Sequence, residues 1–138
     1  MRAVLDPNVL ISALLSPQGT PAELLRAWQG GQFEVIASPV LLAELERALA
    51  YPKLRKHISS GEAEEFVAWL RASAELVADP KEPPARGSRD PGDDYLLALA
   101  ERERAALVSG DDDLLELHRH LPVFDPAAFI RLLDARLG

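Results

Sequence analysis

Acidic side chains follow two apolar segments of this sequence, at the points where buried strands should end. Asp6 directly follows residues 3–5, and Asp111 with its neighbours Asp112 and Asp113 follows residues 106–108. Ligands bind beyond the carboxyl ends of the strands in open α/β sheets. Either acid could simply cap the next helix. However, a cap needs one carboxylate, and three in succession repel one another unless a cation or solvent screens them.

Glu44 is the most informative single residue, because the helical period places it on an apolar face. In a helix that begins at Ser38-Pro39, Glu44 shares one face with Leu41 and Leu45. A carboxylate that faces a core is costly unless it is paired or binds a metal. The alternative is a glutamate at the edge of the stripe, reaching out to water.

Three acids, Asp90, Asp93 and Asp94, crowd the start of another predicted helix. The helix dipole favours carboxylates at this end, which would explain them without a function. Asp93 lines up with Leu96 and Asp94 with Leu97, so the spacing alone does not decide which acid faces inward.

These four acidic elements together predict a site for a hard divalent cation. Carboxylate oxygens gathered in one cleft suit Mg²⁺ or Mn²⁺. Two such ions about 3.5–4 Å apart would hold the attacking and leaving oxygens of a phosphodiester.

Short apolar runs alternate with amphipathic stretches along the chain, a pattern typical of a parallel sheet covered by helices. We predict strands at 3–5, 33–37, 76–78, 106–108 and 123–124. Predicted helices begin at a capping box (Thr20 to Glu23), at Ser38-Pro39, at Ser59 with Glu62, at Asp90-Pro91 and at Asp125-Pro126. The Pro-rich stretch 79–90 is interpreted as a loop inside a single domain, 1–138.

Composition excludes several classes of protein. The 138 residues carry 22 acids and 15 bases, and a net charge of −7 argues against holding nucleic acid by bulk positive charge. The lack of cysteine excludes thiol catalysis and Cys-ligated zinc. No apolar run approaches the ~18 residues of a membrane span. We expect a cytoplasmic protein with no membrane partner.

Four segments, in this order, resemble the motifs of the PIN-domain family. They are residues 4–15 around Asp6, 38–45 around Glu44, 89–100 around the three clustered acids, and 107–114 around Asp111. The likeness covers most of the chain. It is strongest to the bacterial and archaeal subgroup of toxin components in toxin–antitoxin pairs.

The resemblance implies a three-layer α/β/α sandwich with a parallel five-stranded sheet in the order 3-2-1-4-5. It also implies an endoribonuclease dependent on Mg²⁺ or Mn²⁺, with the family's four catalytic, metal-binding acids at Asp6, Glu44, Asp94 and Asp111. Asp113 would be an outer ligand. The supporting polar residues would be Asn8, Ser12 and Ser109, with Asp90 and Asp93 as further candidates to share the metal. The sequence departs from the common pattern at Pro7 and in having three acids in the third motif.

RNA and, in the toxin subgroup, an antitoxin are the implied partners, and a homodimer is expected. RNA would approach through basic residues, for which the candidates are Lys53, Arg55, Lys56, Arg86 and Arg89. Two other functions stay open. One is a non-catalytic PIN-like interaction domain. The other is a small phosphatase or phosphotransfer domain, which the lack of a lysine after the later strands disfavours.

Overall fold

Five short strands form one parallel sheet in this computed structural model, which describes residues 1–137. The strands are β1 (Arg2–Leu5), β2 (Glu34–Ala37), β3 (Glu75–Leu76), β4 (Ala106–Val108) and β5 (Val123–Phe124). Their order across the sheet is β3-β2-β1-β4-β5, and all neighbours are parallel. The predicted strand order is therefore confirmed.

Helices connect and cover these strands. They are α1 (Pro7–Leu15), α2 (Thr20–Gln29), α3 (Pro39–Leu49), α4 (Pro52–Arg55), α5 (Ser60–Ser73), α6 (Asp94–Glu103), α7 (Asp112–Leu115) and α8 (Pro126–Leu137), with a 3-10 turn at Pro91–Asp93. Helix α6 packs on β1 and β4, whereas α1 contacts α2 and α3. Since parallel crossovers are right-handed and the chain reverses direction across the sheet after β3, helices cover both faces. None of the helices within residues 1–137 combines the length and apolar character needed to cross a bilayer.

The register of the central strands determines where the acids emerge. Leu5 of β1 lies opposite Val108 of β4, and both side chains are buried. The next residues, Asp6 and Ser109, therefore leave the sheet side by side at its carboxyl edge. The strand order also reverses between β1 and β4, and such a switch point opens a crevice for ligands.

Strand β3 begins and ends one to two residues earlier than predicted. The sequence predicted residues 76–78, but the strand is Glu75–Leu76, and both residues are exposed. Its partner β2 ends at Ala37, because Ser38 caps α3 by accepting a hydrogen bond from the N–H of Leu41. Beyond Ala37, β2 has no residue left for β3 to pair with. The last hydrogen bond between the two segments therefore runs from the N–H of Val77 to the carbonyl of Ala37.

One predicted helix start was also wrong, and another was right only in part. Gly19 is the N-cap of α2, one residue before the predicted cap, and no side chain of the described residues caps this helix. Asp90 does not open a continuous helix. Its carboxylate accepts a hydrogen bond from the N–H of Gly92 and caps the 3-10 turn, and α6 starts only at Asp94.

Candidate metal centre

Asp6 is a buried carboxylate at the end of β1, with only 4% of its surface exposed. Its Oδ1 accepts a hydrogen bond from the N–H of Asn8 (3.0 Å), and its Oδ2 accepts one from the hydroxyl of Ser109 (2.8 Å). Burial raises the pKa of Asp6, the two hydrogen bonds oppose this shift, and the charge of Asp111 adds to it. The side chain is thus held in one orientation, in surroundings that favour a nearby cation.

Ser109 connects the two strand ends. While its hydroxyl donates to Asp6, its Oγ accepts the N–H of Asp111 at 3.0 Å. Asp111 in turn caps α7, because its Oδ1 accepts the N–H of Asp113 at 2.9 Å. Asp111 is both a helix cap and a neighbour of Asp6, so the two interpretations of this acid are compatible.

The third motif contributes Asp93 to this edge of the sheet. Burial and the adjacent carboxyl group of Asp111 raise the pKa of Asp93 to about 7. The charges of Asp6 and Asp90 act in the same direction. Three acids from distant parts of the sequence (Asp6, Asp93 and Asp111) therefore form one group, which we call the acidic cluster.

Asp94 has a different surrounding. Its Oδ1 accepts the N–H of Ser88 at 3.0 Å. A Cβ placed on Gly87 would approach Asp94 Oδ2 to 3.2 Å, so the loop is packed directly on this carboxylate. Asp94 anchors the 87–88 loop, whereas Asp93 is the acid of this motif that lies beside Asp111.

Glu44 lies at the edge of the apolar stripe on α3, where 39% of its side chain is exposed. Of the two positions that the sequence left open, the structure therefore shows the edge of the stripe. There it forms an ion pair along the helix, in which Arg47 donates a hydrogen bond to the carboxylate of Glu44. Leu41 and Leu45 on the same face are buried, as expected.

Tyr95 is half-buried at the start of α6 and interacts electrostatically with both Glu44 and the acidic cluster. Burial raises the pKa of Tyr95, and the charges of Asp6 and Glu44 add to the shift. In the sequence, Tyr95 stands out only as part of an apolar run. Its position directly after two acids at a helix start was the signal that could have drawn attention to its hydroxyl group.

A cleft of about 590 Å³ opens beside Asp111. Asn8 and Ser12 line this cleft, as does Asp125 at the end of β5. The bond that Asn8 makes to Asp6 comes from its main chain, and its side chain is exposed. Asp125 was predicted only as a helix start, although it follows β5 just as Asp6 follows β1.

The predicted RNA-binding residues divide into two sets. Lys53, Arg55 and Lys56 are exposed in and just after α4, and Arg86 is exposed in the 79–90 loop. Arg89 forms an ion pair with Glu116, with the two charged groups 3.0 Å apart, so part of its charge is already matched.

The donor set of the acidic cluster fits a hard divalent cation. All its ligand atoms are carboxylate oxygens, which Mg²⁺ and Mn²⁺ prefer. Asp93 Oδ2 is buried and has no hydrogen-bond partner within the described residues, a costly state that a cation would relieve. As they stand, no group of three or more acidic or histidine side chains within residues 1–137 is arranged to hold a metal ion.

Replacing Ser109 with Ala should destabilise the fold by about 1–3 kcal/mol, because Asp6 and the N–H of Asp111 would each lose a buried partner. Denaturant unfolding measures the loss. Ser109→Thr keeps the hydroxyl group and serves as the matched control. Equal stability of all three proteins would show that this hydroxyl does not connect the strand ends.

The metal-free protein should lose stability as the pH rises. An acid with a raised pKa in the folded state binds its proton more tightly there than in the unfolded chain. The protonated carboxyl groups of Asp93 and Asp6 therefore contribute fully to the stability of the fold below about pH 4. This contribution is lost gradually as the pH rises from about 4 to about 7. Since Asp93 is partly exposed, we expect a change of about 1–2 kcal/mol.

Thermal unfolding in EDTA between pH 5 and 8 checks this expectation. The opposite effect of Glu103, whose pKa is lowered by Arg2, is confined to pH values below about 5. Asp93→Asn should flatten the profile, and a wild-type melting temperature that rises from pH 5 to 8 would contradict the prediction.

Comparison with known proteins agrees with this architecture. A family profile described as PIN domain matches residues 2–113. The chain is 28% identical, over 94% of its length and 90% of the relative's, to the uncharacterized protein MJ1680 of Methanocaldococcus jannaschii. It also resembles a chain in the crystal structure of VapBC2 from Rickettsia felis bound to a DNA fragment from their promoter. In that likeness the TM-score is 0.58 and the identity 13%, covering 91% of this chain and 98% of that one.

The matched segment contains Asp6, Glu44, Asp93 and Asp111, and the fold likeness extends over nearly the whole chain. By this match, the protein belongs to the PIN domain family.

Proposed function

We propose that this protein is an endoribonuclease that cleaves RNA phosphodiester bonds with Mg²⁺ or Mn²⁺. The observation that carries the proposal is the acidic cluster, in which Asp6, Asp93 and Asp111 crowd together at the switch point of the sheet. Crowded carboxylates destabilise a fold unless a cation offsets their repulsion. Membership of the PIN domain family supports the same function.

Each residue has a distinct part in the proposed site. Asp6 and Asp111 would be the fixed ligands, because Ser109 and the main-chain N–H groups of Asn8 and Asp113 already orient them. Asp93, with its unpartnered Oδ2, would be the third ligand. When bound, the cation would neutralise charge that develops on the phosphodiester as its bond breaks.

Glu44 would join the site after releasing Arg47. A glutamate side chain that is 39% exposed and paired within one helical turn can change rotamer at little cost, since surface ion pairs contribute about 0–1 kcal/mol. Three further acids would support the ligands without binding the cation directly: Asp113, Asp90 and Asp94. Asp113 positions Asp111 through its N–H, Asp90 shapes the 3-10 turn, and Asp94 holds the 87–88 loop.

RNA cleavage is the direct test of this function. A labelled single-stranded RNA is incubated with the purified protein in Mg²⁺, in Mn²⁺ and in EDTA. The proposal predicts internal cuts with either cation and none in EDTA. Intact RNA under all conditions, together with no heat of Mn²⁺ binding, would contradict it.

We also propose that the protein is the toxin of a toxin–antitoxin pair and acts in the cytoplasm. Support comes from the likeness of its sequence motifs to that subgroup and from the occurrence of a similarly folded chain in the VapBC2 structure. The test is co-expression with the reading frame adjacent to its gene. A cognate antitoxin should co-purify with the protein and inhibit the cleavage of RNA. Size-exclusion chromatography of the free protein tests the expected homodimer.

A non-catalytic interaction domain is the second candidate. It is favoured by the ion pair between Glu44 and Arg47, and by the finding that the acidic side chains of residues 1–137 form no ready metal site as they stand. Calorimetric titration with Mn²⁺ distinguishes the two. Binding that Asp111→Asn abolishes favours the nuclease, and absence of binding favours the interaction domain.

A further inference from the structure

Arg47 and Tyr51 form an exposed pair beside Glu44, which we call the α3 strip. Arg47 lies in the last turns of α3, and Tyr51 follows four residues later, where its N–H bonds to the carbonyl of Ala48 at 3.2 Å. Tyr51 lies two residues beyond the end of α3 and is the N-cap of α4, so the two residues flank the end of the same helix. The side chain of Arg47 is 64% exposed, and Tyr51 is 58% exposed.

The α3 strip is continuous with the candidate metal centre. Arg47 donates a hydrogen bond to Glu44, and α3 contacts α6, the helix that begins at Asp94-Tyr95 directly after Asp93. The hydrogen bond to Glu44 raises the pKa of Arg47, and the nearby Tyr51 and Tyr95 add to this shift. A row of side chains therefore leads from the buried acids to the open surface.

The exposure of Tyr51 is unusual for this protein. All eight aromatic residues lie in the described part of the chain. The phenylalanines and tryptophans make ring contacts in the interior, such as Trp28 with Trp69, at a centroid distance of 4.7 Å. Tyr95 is half-buried, so Tyr51 alone presents most of an aromatic ring to solvent.

We propose that the α3 strip is the subsite that holds a nucleotide of single-stranded RNA next to the cleaved bond, with Tyr51 stacking on a base and Arg47 binding a phosphate. This inference rests on the proposed nuclease function and names how the site takes its substrate. Aromatic faces accept any base, and the guanidinium fork matches two phosphate oxygens.

Charge argues for this occupant. The protein carries −7 overall, so RNA needs local cations to approach an acidic cluster. Lys53 and Arg55 follow Tyr51 directly in α4, are exposed, and extend the positive charge along the chain from Arg47. Arg71 also forms an ion pair with a glutamate of α3, Glu46. The only aromatic residue within two positions of Arg71 in the sequence is Trp69, whose ring packs against Phe66, so Arg71 has no exposed aromatic neighbour in sequence.

Binding of a short fluorescein-labelled single-stranded RNA, followed by anisotropy in Ca²⁺, tests the proposal. A denaturing gel afterwards verifies that the RNA is intact. Tyr51→Ala should weaken binding by about tenfold, whereas Tyr51→Phe should bind like the wild type, because stacking needs only the ring. A 2-aminopurine base in the RNA should be quenched by the wild type and Tyr51→Phe but not by Tyr51→Ala.

The phosphate contact has its own readout. Arg47→Gln should reduce the slope of log K against log salt concentration by about 0.7, the value for one lost contact with a single strand. Arg47→Lys should restore most of this slope. Arg71→Gln is the matched control, since it removes an arginine that is similarly exposed and paired with α3, and its slope should equal that of the wild type.

Wild-type RNA affinity and slope in both Tyr51→Ala and Arg47→Gln would overturn the inference, as would a protein that binds no RNA. If Tyr51→Ala instead lost only an antitoxin, the strip would be a protein-binding surface and the inference would be wrong. Cleavage in Mg²⁺ is scored separately. If RNA binding depends on Tyr51 but no RNA is cleaved, the α3 strip is an RNA-binding subsite and the proposed nuclease function is wrong. If Tyr51→Ala cleaves RNA with an unchanged KM, the nuclease function holds and the inference about the α3 strip is wrong.

Discussion

Asp6→Asn should reduce RNA cleavage by at least about 1000-fold, equivalent to about 4 kcal/mol of transition-state stabilisation, while the protein stays folded. Asp6 is the most buried of the cluster carboxylates and lies where two strand ends meet. The amide of asparagine has nearly the same shape, and its oxygen can still accept the N–H of Asn8. It carries no negative charge, so it is a poor ligand for a hard cation.

Initial rates of RNA cleavage in Mn²⁺ and the melting temperature measure this prediction. Because burial already raises the pKa of Asp6, removing its charge should leave the melting temperature within a few degrees of the wild-type value. Asp79→Asn is the control: Asp79 accepts the N–H of Val40 at the start of α3, and its loss removes a carboxylate without touching the cluster. A folded Asp6→Asn protein that cuts RNA at the wild-type rate would refute the proposed role.

Asp93→Asn should lower cleavage by about 100-fold or more, whereas Asp94→Asn should lower it by less than about fivefold. The two acids are neighbours in sequence, but only Asp93 is adjacent to Asp111. Asp94 instead accepts the N–H of Ser88, and an asparagine oxygen can keep this bond.

Melting temperatures separate the two variants as well. Asp93→Asn relieves repulsion with Asp111 and should raise the melting temperature at pH 8, whereas Asp94→Asn should leave it unchanged or slightly lower. The reverse order of cleavage rates would return Asp94 to the role that the sequence analysis assigned to it.

The parallel sheet could be predicted from the sequence because its three central strands, β1, β2 and β4, are buried on both faces. Such strands appear as short, uninterrupted apolar runs, and residues 3–5 and 106–108 are clear examples. The predicted bounds of β3 were wrong because this strand is only two residues long, and both of them, Glu75 and Leu76, are exposed. Its limits come from the end of β2 at Ala37, a tertiary contact that has no local signal.

The strand-end acids could be predicted for the same reason, since a residue that follows a buried parallel strand must emerge at the carboxyl edge. The positions of the acids on helices could not be predicted in this way. Which of the neighbours Asp93 and Asp94 lies beside Asp111 depends on the 3-10 turn, which rotates the chain before α6 starts. The spacing of Glu44 correctly gave the edge of a stripe as one alternative, but its pairing with Arg47 depends on a rotamer, which spacing does not specify.

A crystal grown with Mn²⁺ and examined by anomalous scattering at the manganese edge tests the central claim most directly. We expect a peak at the switch point of the sheet, with oxygens of Asp6, Asp93 and Asp111 within about 2.0–2.3 Å of the ion and the Asp94 carboxylate still bonded to Ser88. A map without a peak between β1 and β4, or with one coordinated by Asp94 in place of Asp93, would contradict it.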